Sequence, residues 1–137
     1  PVYLEFPRSG KPEDIEKVPV RYDLDVNLDL SPEAQYATLV HELAHLYSGH
    51  LGTPNDKWWP DRRGLARETE EFEAESVVYL VCARLGIDNP SERYLAHYTK
   101  NRQEVPPISL ECVVKTAGLV ESMGRHLLKP RKARDDT

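Results

Sequence analysis

The sequence predicts an α+β fold, with a small N-terminal sheet followed by helices to the end of the chain. Three observations carry this. Residues 21–30 alternate strictly, with Tyr22, Leu24, Val26, Leu28 and Leu30 on one face and Arg21, Asp23, Asp25, Asn27 and Asp29 on the other, the period of a half-buried strand. Ser31-Pro32-Glu33 follows at once: serine at the N-cap, proline at the first helical position and an acid in the first turn mark a helix start. A second long helix spans Leu65 to Leu85 and is closed by Gly86, the residue that most easily adopts a left-handed cap.

The remaining elements follow in order. Val2 to Phe6 is a short apolar-rich segment and a second candidate for the sheet, while residues 7–19 carry Pro7, Gly10, Pro12 and Pro19 and read as loop. In the helix after Ser31, apolar residues recur at Ala37, Val40, Ala44 and Tyr47, with Leu39, Leu43 and Leu46 widening the stripe, and Gly49 and Gly52 end it. A helix apolar nearly all round is a buried one. Residues 50–64 form a loop holding Trp58, Trp59, Pro60, Arg62 and Arg63. A third helix starts at Ser91 and a fourth at Ser109, the latter ending near Leu128. Residues 1–128 are expected to form one domain, and the basic tail 129–137 to be disordered. There are no internal repeats.

Composition narrows the function classes. A chain of 137 residues is long enough to bury a core. Its net charge of −5 argues against a general nucleic-acid-binding surface and leaves room only for a local basic patch. Cys82 and Cys112 lie in apolar helical runs, which favours reduced thiols and a cytoplasmic location over a disulfide scaffold. No apolar run approaches the roughly 20 residues that span a bilayer, and no signal peptide is apparent. The chain opens at Pro1 without methionine, which leaves open that it belongs to a longer protein. Asp23-x-Asp25-x-Asn27 echoes the start of a calcium loop, but that loop's glycine and terminal acid positions hold Leu28 and Ala34. A solvated strand face is the better account.

The chemistry is concentrated in His41-Glu42-Leu43-Ala44-His45. On a helix, residues four apart share a face, so His41 and His45 can reach one metal ion, with Glu42 beside it. A zinc ion lowers the pKa of its water to roughly 7, and a carboxylate placed like Glu42 takes the proton as that water attacks a carbonyl. Two buried neutral histidines need partners for their ring nitrogens, and a metal supplies one.

The third ligand is open from the residues alone. His50 is off register for the extended H-E-x-x-H pattern, whose glycine and histidine places hold Ser48 and Leu51. The second helix offers Glu68, Glu70, Glu71, Glu73 and Glu75. It continues into an apolar run and dives into the core, so some of these acids go with it, and a buried acid requires a metal or a cation. Glu71 and Glu75 share one face.

H-E-L-A-H together with the later run Glu70-Glu-Phe-Glu-Ala-Glu-Ser-Val-Val-Tyr-Leu-Val-Cys-Ala-Arg-Leu-Gly-Ile87, and with Gly49-His50 and Tyr94-Leu-Ala-His-Tyr98, resembles the zincin-like domain of the ArdC and ImmA/IrrE metallopeptidase families. The resemblance covers about residues 33–126. It implies a gluzincin-like arrangement, with the glutamate helix crossing beneath the active helix and zinc held by His41, His45 and Glu71. Glu75, four residues on, would steady a zinc histidine; the alternative ligand is Glu75 itself. The DNA-binding or helix-turn-helix modules that accompany such domains have no counterpart here.

The function implied is a zinc-dependent endopeptidase of restricted specificity, with Glu42 as catalytic base and a protein or peptide as substrate. It would be regulatory, in a bacterium, phage or mobile element. The alternative is an ArdC-like antirestriction or single-stranded-DNA-associated protein whose metal is mainly structural. Tyr94, His97 and Tyr98 are candidates to stabilise an oxyanion, against the plainer expectation that they pack. Trp58, Trp59, Arg62 and Arg63 are a substrate wall or a nucleic-acid contact, or more simply a loop capping the core. His126 complements a helix dipole. In zincins a substrate commonly pairs with an edge strand above the metal. Were residues 21–30 that strand, Asp23, Asp25 and Asp29 would favour basic peptides.

Overall fold

Among the described residues, two short strands open the chain and pair only with each other. β1 (Tyr3–Pro7) runs antiparallel to β2 (Ile15–Pro19), with Tyr3 opposite Pro19 and Pro7 opposite Ile15. The prolines that mark residues 7–19 as loop thus sit at strand ends. In a two-stranded ribbon both strands are edges, where a missing N–H is tolerated. Four helices follow: α1 (Pro32–Tyr47), α2 (Arg67–Leu85), α3 (Ser91–Lys100) and α4 (Leu110–Met123). This computed structural model describes residues 2–7, 9, 11, 13–100 and 104–131. Residues 132–137 of the basic tail lie outside them.

The strand expected over residues 21–30 does not form. Residues 21–27 carry no regular structure, and 28–30 turn into α1. The reason is competition for backbone partners. Aspartate at every second place is a poor strand former. Asn27 instead captures the backbone: Asp29 N–H donates to its Oδ1 at 2.9 Å, and Leu30 N–H to its carbonyl at 3.4 Å, a side-chain-made turn. Gln35 Nε2 then donates to Leu30 O at 2.9 Å and ties the turn to α1. The intended apolar face stays largely open, Leu28 being 80% exposed.

α1 begins as its sequence dictates. Ser31 Oγ accepts from Ala34 N–H at 3.2 Å, with Pro32 and Glu33 in the first turn. Its apolar stripe, Ala37, Val40 and Ala44, meets Ala74, Val77, Val78, Val81 and Cys82 of α2 and Val113, Ala117 and Val120 of α4. α2 is the hub, packed against α1, α3 and α4. Enclosure on several sides buries residues around much of its circumference, Glu73 among them. α4 stops at Met123, short of the expected Leu128, because Gly124 takes the C-cap and its N–H returns to Val120 O and Glu121 O. Leu127 beyond it is 80% exposed. Arg131 lies over the rings of Tyr47 and Trp59, at 5.5 and 5.7 Å. Cys82 and Cys112 are free thiols, and none of the described helices is long and apolar enough to cross a membrane.

The chain leaves α1 through Gly49, whose φ is +77°. A β-carbon there would stand 1.9 Å from Pro60 O. The loop is stitched to the helix end at this point: Arg62 N–H donates to Gly49 O at 2.8 Å, and Trp59 Nε1–H to Gly52 O at 2.9 Å. Gly86 also has positive φ, +69°, but open space around its missing side chain. Gly86→Ala is therefore expected to cost about 1 kcal/mol, the conformational term alone. Gly49→Ala adds a backbone clash and should cost at least about 3 kcal/mol. Urea unfolding of the two variants checks this; equal losses would mean the loop simply moves aside.

Candidate metal centre

His41 and His45 lie one turn apart on α1 and face α2, where Glu71 and Glu75 lie one turn apart. The two carboxylate oxygens of Glu71 divide between the histidines: Oε2 is 3.3 Å from His41 Nε2, and Oε1 is 3.1 Å from His45 Nε2. The rings of His41 and His45 stand edge to face with centroids 4.7 Å apart. His41, His45 and Glu71 each offer one ligand atom, and these atoms lie within 4.8 Å of one another. The three could together hold a metal ion. The group is half-buried, with side-chain exposures of 23%, 12% and 33%. Burial pushes the His45 imidazole below its ordinary pKa, and the neighbouring His41 adds to this against the pull of Glu71. His45 is thus kept in the neutral form that a metal needs.

The two candidate glutamates differ in reach. Glu71 faces both histidines. Glu75 faces His41 alone, with Oε1 3.5 Å from Nε2, and its other oxygen accepts from the Ser91 hydroxyl at the start of α3. Its approach falls on the same ring nitrogen that Glu71 faces, not on Nδ1, where a steadying carboxylate is expected. Glu42 is more open, 51% exposed, with Oε1 3.7 Å from His41 Nδ1. A cleft of about 190 Å³ lies beside it, lined also by Tyr22, Asp23, Leu24 and Asp25. A second, of about 320 Å³, reaches His41 and Glu75 from the side of Ala34, Ala37 and Val78. Like the 190 Å³ cleft, two larger ones, of about 450 and 440 Å³, touch none of the three grouped residues.

Behind His45 is a cluster of polar side chains that sequence reasoning did not assemble. His50, off register as a ligand, places Nδ1 2.8 Å from His45 Nδ1 and Nε2 2.7 Å from Glu73 Oε1. Arg62 grips the same carboxylate with both terminal nitrogens, at 2.8 and 2.7 Å, and Ser109 N–H donates to Oε2 at 2.8 Å. Burial alone would raise the Glu73 pKa, but the hydrogen bonds from His50, Arg62 and the Ser109 N–H, with the charge of Arg62, hold it at about 2. One signal was available. Glu73 stands about 200° around the helix from Glu71, so a helix entering the core with acids at both places has to pair each with a different partner.

The other candidates are placed elsewhere. Tyr98 is buried, donates its hydroxyl to Glu68 Oε1 at 3.0 Å and packs edge to face on Phe72. Tyr94 and His97 make ring contacts with Tyr98. Trp58 and Trp59 pack on each other. Arg63 pairs with Asp61 at the surface. His126 lies exposed after α4. Searches against protein-family models, curated proteins and solved structures find no match to this chain.

The geometry predicts one divalent ion per chain. Alanine at His41, His45 or Glu71 should weaken zinc binding by about 100-fold or more, each removing a ligand, and Glu75→Ala by much less. Chelator competition on the purified variants decides it. Full occupancy in Glu71→Ala with loss in Glu75→Ala would exchange the two roles.

Proposed function

We propose that this protein is a zinc-dependent endopeptidase of restricted specificity, acting on a protein substrate in the cytoplasm of a bacterium or in the service of a phage or mobile element. The observation that supports it most is the convergence of two α1 histidines on both oxygens of Glu71, with the exposed carboxylate of Glu42 beside an open cleft. A site that only held structure would have no use for that carboxylate. The likeness of the motif-bearing segments to the ArdC and ImmA/IrrE metallopeptidase domains points the same way.

Zinc bound by His41, His45 and Glu71 would supply Lewis acidity, making water nucleophilic near neutral pH and polarising the scissile carbonyl. Each residue of the chain has its own task. His41 and His45, set by one helical turn, and Glu71, brought by α2, would hold the ion. Glu42 accepts the proton of the attacking water and passes it to the departing amine. Its exposure leaves it within reach of a peptide in the cleft beside it. Residues 21–27, irregular in structure, border this cleft and carry Asp23 and Asp25 to its rim, whereas Asp29 sits in the turn before α1.

Two outcomes test this. Glu42→Gln keeps shape and metal but cannot accept a proton, so cleavage should fall by about 10²–10⁴-fold while zinc content stays the same. New N-termini appearing in a host lysate give the readout, and cleavage undiminished in the variant would assign the activity to another protein. Asp23 and Asp25 should also favour basic peptide residues. Exposed charges interact by about 0.2–1 kcal/mol each, so Asp23→Asn with Asp25→Asn should reduce any preference for basic over acidic residues several-fold in a peptide library. A preference that ignores both substitutions leaves these aspartates as a solvated edge.

A further inference from the structure

Imidazole can bind a metal through only one nitrogen at a time, and only when that nitrogen carries no proton. Which nitrogen is free depends on what the other one faces. For His45 the other one faces His50, and His50 has no freedom of its own.

The chain of constraints starts at Arg62. A guanidinium only donates, and it donates to both oxygens of Glu73; Ser109 N–H donates to Oε2 as well. Glu73 therefore acts as a pure acceptor. His50 Nε2, 2.7 Å from Glu73 Oε1, must carry a proton and donate it. In the neutral ring this leaves His50 Nδ1 as a lone pair. At 2.8 Å from that lone pair, His45 Nδ1 must carry a proton. The only bare nitrogen left on His45 is Nε2, which faces Glu71 Oε1 at 3.1 Å. In the reverse arrangement His50 donates from Nδ1, and His45 keeps its proton on Nε2, where no metal can bind. Side-chain exposures of 1% for His50 and 0% for Glu73 exclude water that would let either ring choose another partner.

We propose that Arg62, Glu73 and His50 form a buried relay whose task is to fix the tautomer and aim of His45, so that its Nε2 lone pair is presented to the metal before the metal arrives. His50 is a positioning residue, one shell behind a ligand. The proposal rests on the metal-binding part of the function proposed above and deepens it, since it says why the ligand set is prepared by residues from three separate parts of the chain: the end of α1, the tryptophan loop and the middle of α2.

The test reads protons directly. In wild-type protein labelled with ¹⁵N at histidine, both metal-free and zinc-loaded, long-range nitrogen–proton correlation should show His50 protonated on Nε2 and bare on Nδ1, and His45 protonated on Nδ1. Glu73→Gln is the sharpest variant. Its oxygen is claimed by Arg62 and Ser109, so its amide nitrogen turns to His50 Nε2 and donates, which reverses the relay. Zinc affinity by chelator competition should fall by about 10–100-fold, although the side chain is nearly isosteric. His50→Gln, which leaves the Glu73–Arg62 pair in place, should also weaken zinc within that range if the first variant does not fold. Wild-type His50 protonated on Nδ1, or zinc affinity unchanged in a folded Glu73→Gln or His50→Gln, overturns the relay alone. A wild-type protein that takes up no zinc overturns the relay and the proposed function together.

Discussion

The bidentate pairing of Arg62 with Glu73 is the contact on which most of the structure leans. Glu73 is fully buried on α2, the helix that the other three surround. A carboxylate taken out of water costs several kcal/mol unless its charge and lone pairs are met. Here they are met by four donors from three places: two from Arg62, one from His50 and one from the backbone of Ser109. The pair thus binds the loop after α1, the N-terminus of α4 and the end of α1 to one point on α2. Removing either partner would leave an uncompensated charge inside, the costliest kind of change for a small domain.

The same arrangement explains how a mobile-looking loop is held. Residues 50–64 contain no regular element, yet Gly49 O accepts from Arg62 N–H, Ser48 O accepts from Arg62 Nη1 at 3.2 Å, and Trp59 donates to Gly52 O. Gly49 supplies the positive φ that turns the backbone back over the helix end, at a spot where no side chain fits. The loop is a strap that carries Arg62 to Glu73, and its Trp59 is buried edge to face against Tyr47. The expectation of a cap over the core describes Trp59 well; the role of Arg62 came only with the structure.

Site and scaffold share α2 by splitting its faces. Glu71 and Glu75 look toward the histidines of α1, while Glu73 looks toward His50 and the strap. One helix thereby provides both the carboxylate nearest the two histidines and the carboxylate that anchors the residues behind them. The grouped histidines and glutamate all lie on helices. The two-stranded sheet pairs with itself, and the segment bordering the cleft at Glu42 is irregular.

What the sequence determined by itself is local. The α+β class, the serine-capped start of α1, the Gly86 stop of α2, and the placing of His41, Glu42 and His45 on one helical stretch all follow from capping, periodicity and spacing within a few residues. Tertiary structure decided what depends on partners distant in the chain. Residues 21–30 have a strand's pattern, but Asn27 claimed the backbone of residues 27–30 for a turn. Residues 15–19 look like loop but lie within reach of β1. Glu71 and Glu75 are indistinguishable by helical phase, and only the way α2 crosses α1 brings Glu71 to both histidines. His50, Glu73 and Arg62 carry no shared spacing at all. They meet because a buried carboxylate must be neutralised by whatever cation and donors the fold can bring to it, and periodicity cannot say which ones those are.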